Sequence, residues 1–335
     1  MPPRTAGAPR LIEATGERIV PWAPDAQVIY EHFHRYLWAK PLMAGRRALD
    51  LGSGEGFGAA LLADTAQAVT GVDIDERTVE HSRANYVAPN LEFRVASATD
   101  LSAFADDAFD AVVAFEMIEH VADHEGVLAE VARVLAPGGL LIMSTPERHA
   151  YSDDRDFVNP YHERELTQEE FGALLRRQFS TVSLFAQRAV TGSRIEAVTA
   201  PPGGDHLVMR IERADGEWRP AGPPEPLYLV AVASDVELPE LPGESSLLDY
   251  GLEVIAERQA TVDTLLQDLR ERREELVAAL ARAQRAEDEA KRVQESVAWR
   301  LLERIRRTVY GVIGEDSAIA RGVRRAMHRV FRTLR

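Results

Sequence analysis

Two kinds of chemistry stand out in the residue order. Gly52, Gly54 and Gly56 lie in Ala48-Leu49-Asp50-Leu51-Gly52-Ser53-Gly54-Glu55-Gly56-Phe57-Gly58, an apolar strand running into a tight turn. Glycine admits positive φ and lets a ligand touch main chain. A helix starting there directs its free N–H groups at that ligand. After a helix-sized gap comes Val69-Thr70-Gly71-Val72-Asp73-Ile74. Asp73 ends this second strand, where a carboxylate can accept hydrogen bonds from two ribose hydroxyls. The other chemistry is proton transfer. His120 follows the fourth expected strand and His162 the fifth, at the strand ends where doubly wound folds place their sites. An imidazole near neutral pH can take the proton of an alcohol. A cap or packing role is the alternative for His120, and loop structure for His162; His34 is a third candidate.

These residues need a frame, and the hydropathy pattern supplies one. A helix is predicted over 25–40, then strand 48–51, helix 57–66, strand 69–73, helix 76–86, a strand near 91–95, strand 111–115, helix 124–135 and strand 140–144. Alternation of this kind with short turns predicts an α/β fold, a Rossmann-like, doubly wound, mostly parallel seven-stranded sheet. Residues 146–166 are expected as a long loop, Thr167 as a helix cap, and strands near 180–186 and 227–234 as the completion of the sheet. The expected divisions are a loose segment 1–23, a domain over 24–240 with an excursion at 191–226, a long helix or coiled coil over 247–299, and a basic amphipathic helical tail over 300–335.

The heptad seam behind the third division is Leu248, Ile255, Val262, Leu269, Leu276, Ala283, Ala290 and Val297. The tail holds ten arginines against Glu303, Glu315 and Asp316, a net of +7, so the remainder of this −15 chain carries −22. An acidic body disfavours nucleic acid as a partner. The absence of cysteine excludes disulfides, thiolate metal sites and iron–sulfur clusters. No apolar run of membrane-spanning length occurs, and the first residues lack the apolar core of a signal peptide, so a cytoplasmic protein is expected. No His/Asp/Glu group shows metal-ligand spacing along the chain, and no metal is expected.

A dinucleotide site wants a third small residue where this turn has Phe57, and the acid Asp50 precedes the first glycine by two. With Asp73 downstream, the turn resembles the motif of class I S-adenosylmethionine (SAM) methyltransferases. Further blocks extend the likeness in order. Phe109-Asp110-Ala111-Val112-Val113, Glu116-Met117-Ile118-Glu119-His120-Val121 and Glu130-Val131-Ala132-Arg133-Val134-Leu135-Ala136-Pro137-Gly138-Gly139 resemble the type 11 and ubiquinone-methyltransferase-like groups. The resemblance covers roughly 40–186 and implies SAM as cofactor. It implies that Asp50, Gly52, Gly54 and Gly56 contact the cofactor at the turn, that Asp73 and Ile74 face its ribose, and that Phe115, Glu116 and Met117 line the cleft. Arg35 would bind the methionine carboxylate; a surface ion pair with Glu31 is its alternative. Where the family usually has Asp-Ala facing the adenine amino group this chain has Ser97-Ala98; the Ser97 hydroxyl can accept that hydrogen bond without charge, or Asp100 can substitute.

A narrower likeness rests on Thr15-Gly16-Glu17-Arg18, Glu31-His32-Phe33-His34-Arg35-Tyr36, Asn159-Pro160-Tyr161-His162-Glu163-Arg164-Glu165-Leu166 and Ser296-Val297-Ala298-Trp299-Arg300. These resemble bacterial methyltransferases associated with surface-polysaccharide glycosyltransferases. The implied activity is O-methylation of a sugar hydroxyl of a surface glycan or its precursor. A quinone, lipid or carboxylate acceptor, and a scaffold with a vestigial sheet, are the alternatives. The coiled coil would join a second copy or a glycosyltransferase partner. The basic tail would lie at the inner face of a membrane or against a partner protein.

Overall fold

The computed structural model describes residues 12, 20, 26–194, 210–214, 217–222, 225–314 and 316–333. Segment 1–23, with Thr15-Gly16-Glu17-Arg18, lies outside them apart from Ile12 and Val20, as does part of the 191–226 excursion. Helix α1 (Ala26–Ala39) leads into β1 (Arg47–Leu51), α2 (Phe57–Ala63), β2 (Ala68–Asp73), α3 (Glu76–Asn85), β3 (Leu91–Val95) and β4 (Phe109–Phe115). There follow α4 (His124–Val134), β5 (Leu135–Pro146), α5 (Arg148–Tyr151), α6 (Gln168–Leu175) and β6 (Thr181–Gln187). The described part of the excursion is a two-stranded hairpin, β7 (Ile211–Ala214) and β8 (Glu217–Pro220), before β9 (Tyr228–Ser234).

The expected seven-stranded sheet is present in the order β3-β2-β1-β4-β5-β9-β6. Only β9 runs antiparallel, and it pairs with both β5 and β6. Both faces are covered, so the central strands are apolar throughout rather than alternating. Along β4, Val112 and Ala114 enter the core shared with α4 and α6, while Ala111, Val113 and Phe115 enter the core shared with α1 and α2. This side-to-side alternation at fixed polarity marks a central parallel strand.

Two features differ from the sequence expectations. Strand β5 begins at Leu135, not Leu140, because Leu135 pairs with Phe109 and the register then shifts to Ala111–Leu140. Pro137-Gly138-Gly139, just beyond the end of α4, lies in that irregularity, with Gly138 at φ +76°. The 146–166 loop contains the short helix α5 and a 3-10 turn at Asp153–Arg155. Thr167 does cap α6: its hydroxyl accepts from Glu170 N–H while Glu170 accepts from Thr167 N–H.

Residues after Glu257 form a second compact unit. Helix α7 (Glu253–Glu295) leads to α8 (Val297–Ile313) and α9 (Ala318–Thr333). The long helix exists, but its seam is interrupted. Ser296 is extended (φ −62°, ψ 147°) and its hydroxyl accepts from Trp299 N–H, so it caps a new helix. Ser-x-x-Trp-Arg is therefore a helix start, Leu248 precedes α7, and Val297 belongs to α8. The seam residues Ile255, Val262, Leu269 and Leu276 are exposed. Among the described residues no helix is long and apolar enough to cross a membrane.

Candidate active site

The glycine turn leaves the carboxyl end of β1 through three left-handed positions, Gly52 (φ +77°), Gly54 (φ +53°) and Gly56 (φ +99°). Side chains at these angles are strained. A Cβ at Gly52 would also fall 2.8 Å from Met117 Cγ, whereas Gly54 opens onto free space. Asp73 braces the turn from β2. Its Oδ2 accepts from Gly54 N–H at 3.0 Å and its Oδ1 from Asp75 N–H at 2.9 Å. Each oxygen keeps a second lone pair for a hydroxyl. Ile74 beside it is exposed and Met117 is buried, two apolar side chains at the rim of the turn. Ser53 Oγ is buried without a hydrogen-bond partner among the described residues. Bare main chain, a braced carboxylate and an orphaned hydroxyl fit the nucleoside part of SAM.

Asp50 does not face the cleft. It is fully buried in β1, where Tyr36 donates its hydroxyl to Oδ1 and Oδ2 at 3.1 and 3.3 Å, and Ala59 N–H in the first turn of α2 donates as well. Tyr36 lies flat over Gly58, where a Cβ would come within 2.0 Å of its ring. Asp50 therefore joins α1 and α2 to the strand, and its contact with the cofactor, expected from the resemblance, is replaced by support of the turn. Burial pushes its carboxyl up to about 7, against the Tyr36 bond and with the Asp73 charge. This value lies above the ordinary 3.8 of the unfolded chain, so the folded protein holds a proton that the unfolded chain has released. The group's stabilisation is full below about pH 4 and is lost as pH rises through about 7. Asp50→Asn, which cannot titrate, is expected to gain on the order of 2–4 kcal/mol relative to the native chain between pH 4 and pH 8. Urea unfolding at both pH values measures this; parallel pH dependences would refute it.

Arg35 is 2% exposed, so the surface pair with Glu31 is not formed. The guanidinium instead ties α1 to four strand ends. It lies 3.0 Å from Glu116 Oε1, donates to Gln187 Oε1 at 2.6 Å and Ser144 Oγ at 3.4 Å, and stacks 4.6 Å from the Tyr228 ring centroid. Its Nη2 is buried without a hydrogen-bond partner among the described residues. That unused donor fits an incoming carboxylate. Glu116 adopts φ +49°, rare for a side-chain-bearing residue. Ser144 holds it there: its Oγ accepts from Glu116 N–H at 3.1 Å and donates to Oε1 at 2.5 Å. Phe115, by contrast, is buried edge-on against Tyr36, under the cleft floor.

At the far end of the turn region, Ser97 closes on its own loop: its Oγ accepts from Thr99 N–H at 3.2 Å and shares a bond with Thr99 Oγ1 at 2.9 Å. Ala98 packs on the core. Asp100 is exposed and accepts from Ser102 N–H.

The histidines converge. His120 and His162 meet edge to face with ring centroids 4.9 Å apart. His120 Nδ1 pairs with the Tyr161 carbonyl at 3.0 Å, which makes Nδ1 the N–H and places the lone pair on Nε2. His162 Nδ1 pairs with Glu165 Oε1 at 2.6 Å, and Asn159 Nδ2 donates to its Nε2 at 3.0 Å. Tyr151 stacks on the His162 ring. Glu119 is buried beneath them, accepting from Thr145 Oγ1 at 3.3 Å; burial, then the Glu116 charge, pushes its carboxyl well up. Main-chain bonds from Glu163 and Arg164 to the Glu119 carbonyl clamp the 159–165 loop onto the turn after β4. His34 is elsewhere, paired with Ser245.

Glu119, His120 and His162 each offer a ligand atom, and these lie within 4.8 Å of one another. Spacing along the chain does not reveal this group, because the two histidines are 42 positions apart and the fold brings them together. The residue order assigned no role of their own to Glu165, Asn159 or Ser144. Glu165 was discernible as an acid one turn beyond His162, but nothing along the chain distinguishes it from Glu163.

A doubly wound sheet with one antiparallel strand near the edge, a left-handed glycine turn after β1 and an aspartate bracing it from β2 place the chain in the class of nucleoside-binding α/β proteins. A family profile described as a methyltransferase domain matches residues 49–143. A "probable S-adenosylmethionine-dependent methyltransferase" of Mycolicibacterium smegmatis is 36% identical over 225 residues, covering 63% of this chain and 82% of that one. One of the same description from Mycobacterium tuberculosis H37Rv is 34% identical over 268 residues, covering 76% and 92%. A ubiquinone biosynthesis O-methyltransferase of Thiobacillus denitrificans is 33% identical over 120 residues, covering 35% of this chain and 52% of that one. The chain belongs to the SAM-dependent methyltransferase family, and SAM is its cofactor.

Proposed function

We propose that this enzyme methylates a hydroxyl oxygen, and that the hydroxyl belongs to a sugar of a surface glycan or its lipid- or nucleotide-linked precursor. One observation carries the oxygen chemistry: an imidazole, His162, backed by a carboxylate at 2.6 Å, beside a second histidine at the carboxyl ends of β4 and β5. An alcohol is a poor nucleophile until its proton leaves, whereas an amine or thiolate needs no such help. The sugar assignment rests on the loop Asn159–Leu166 and the Ser296–Arg300 element, which resemble those of bacterial methyltransferases associated with surface-polysaccharide glycosyltransferases.

Bound SAM would supply a methyl group on a sulfonium, an electrophile that needs positioning rather than activation. The Gly52–Gly56 main chain and Asp73 would hold its nucleoside, and Arg35 Nη2 its carboxylate. The acceptor hydroxyl would replace the Asn159 amide at His162 Nε2 and give up its proton there as the new C–O bond forms and the methyl's C–S bond breaks, with S-adenosylhomocysteine leaving as the neutral thioether. Glu165 stabilises the resulting imidazolium, which returns the proton to water.

A second reading follows from the Glu119–His120–His162 group, which has the donors for one divalent cation. The similarity to ubiquinone O-methyltransferases likewise supports a phenolic acceptor. One assay separates these. With methyl-labelled SAM, nucleotide sugars and glycan oligosaccharides should be methylated and catechol-type quinols should not, the products resisting alkaline hydrolysis as ethers do. Label confined to quinols, or to alkali-labile esters, would overturn the sugar proposal. Loss of transfer on chelation, restored by magnesium or manganese, would favour the cation reading.

A further inference from the structure

We infer that the α8–α9 hairpin is an interfacial anchor for an anionic lipid surface. The two helices use one apolar face each to close on one another. Ala320 is buried there, and Val309, Ile313, Val323 and Met327 are partly buried. Tyr310 fastens the pair, with the Arg306 and Arg324 guanidinium groups over its ring at 5.8 and 5.9 Å. Ser317 caps α9 through Ala320 N–H at 3.0 Å. That packing does not consume all the apolar surface. Val297, Leu301, Ile305 and Val312, spaced four, four and seven residues apart, form a second stripe along α8. They are 74, 60, 47 and 78% exposed, and Ile319 at the start of α9 is 64% exposed.

Charge decides what covers this stripe. Arg300 and Arg304 each precede a stripe residue, and Arg307, Arg321, Arg325 and Arg329 are also exposed. An apolar stripe bordered by arginines of one sign matches a bilayer's own layering: the aliphatic side chains enter the acyl boundary while the guanidinium groups stay among acidic headgroups. A protein partner would need an apolar groove walled by carboxylates along two helices, whereas an anionic bilayer presents both features everywhere. The tail's net +7 against −22 for the rest of the chain also leaves only this end electrostatically suited to a negative surface.

The test is co-sedimentation of the full chain with vesicles of phosphatidylcholine alone or with about 30% phosphatidylglycerol, a surface charge of the order found on cytoplasmic leaflets. Expected is at least about tenfold stronger partition onto the anionic vesicles, falling about tenfold in ~0.5 M NaCl. Leu301→Ser/Ile305→Ser/Val312→Ser and, separately, Arg300→Gln/Arg304→Gln/Arg307→Gln should each lose most of that binding. All these positions are exposed, and unchanged SAM binding by each variant shows that the catalytic domain is intact. Equal partition onto both vesicle types, no partition, or full binding by the serine variant would overturn the inference. So would a serine variant that changes only oligomeric state by light scattering, which would make the stripe a contact between copies.

Discussion

Asp73→Ala is expected to weaken SAM binding by roughly 30- to 1000-fold, the loss of about 2–4 kcal/mol for two hydrogen bonds to a charged acceptor. The residue acts twice. It offers lone pairs to the ribose, and through Gly54 and Asp75 N–H it holds the turn in the shape that exposes main chain. Asp73→Asn keeps the size and one acceptor oxygen but loses the charge, so an intermediate loss is expected. Titration calorimetry with SAM and with S-adenosylhomocysteine measures both variants, and thermal melts confirm that they remain folded. A dissociation constant within threefold of the native value for Asp73→Ala would show that this carboxylate does not touch the cofactor.

The second large effect is expected at His162. His162→Ala should lower kcat by about 10²–10⁴, the range for losing a general base, with SAM affinity unchanged. Glu165→Gln keeps the shape of its partner while removing the charge that stabilises the imidazolium. About a tenfold fall in kcat with little change in acceptor KM is expected, since Glu165 positions His162 and does not itself meet the substrate. His120→Ala distinguishes the two rings. If it costs a hundredfold while His162→Ala costs less than threefold, proton acceptance belongs to His120, whose Nε2 carries the lone pair because the Tyr161 carbonyl takes its Nδ1–H.

Much of the nucleoside side of the site was legible in the residue order because it is local. Gly52 to Asp73 span one strand, one turn, one helix and the next strand. Chain connectivity and strand pairing alone bring Asp73 Oδ2 to Gly54 N–H, 19 residues away. The acceptor side was not legible in the same way. His120, His162, Glu165 and Glu119 come from two loops that meet only because β4 and β5 are neighbours, and the 159–165 loop hydrogen-bonds the Glu119 carbonyl. Arg35 shows the same dependence. Its helix precedes the whole sheet, yet its partners lie 81, 109 and 152 residues later, and their convergence buries it and removes the alternative of a surface pair with Glu31.

Asp50 shows why a motif can be recognised correctly and assigned the wrong contact. The acid two residues before a glycine turn is a sequence pattern, but alternation along β1 decides which face it occupies, and here that face belongs to Tyr36 and α2. The long helix carries a similar lesson. Its heptad spacing continues through Ser296, whereas one extended residue with a capping hydroxyl restarts the helix and rotates everything after it.

What the sequence by itself determined was each element's period, the turn chemistry that ends it, the charge divided between body and tail, and hence the fold class and the glycine turn with its bracing aspartate. Those properties depend on residues within one or two turns of each other. Tertiary structure alone decided that β9 enters antiparallel between β5 and β6, that Arg35 is buried against Tyr228, and that two histidines and two carboxylates form one cluster. These depend on contacts between segments tens of residues apart. Such contacts are selected by the burial of both sheet faces at once, a constraint that no short stretch of the chain contains.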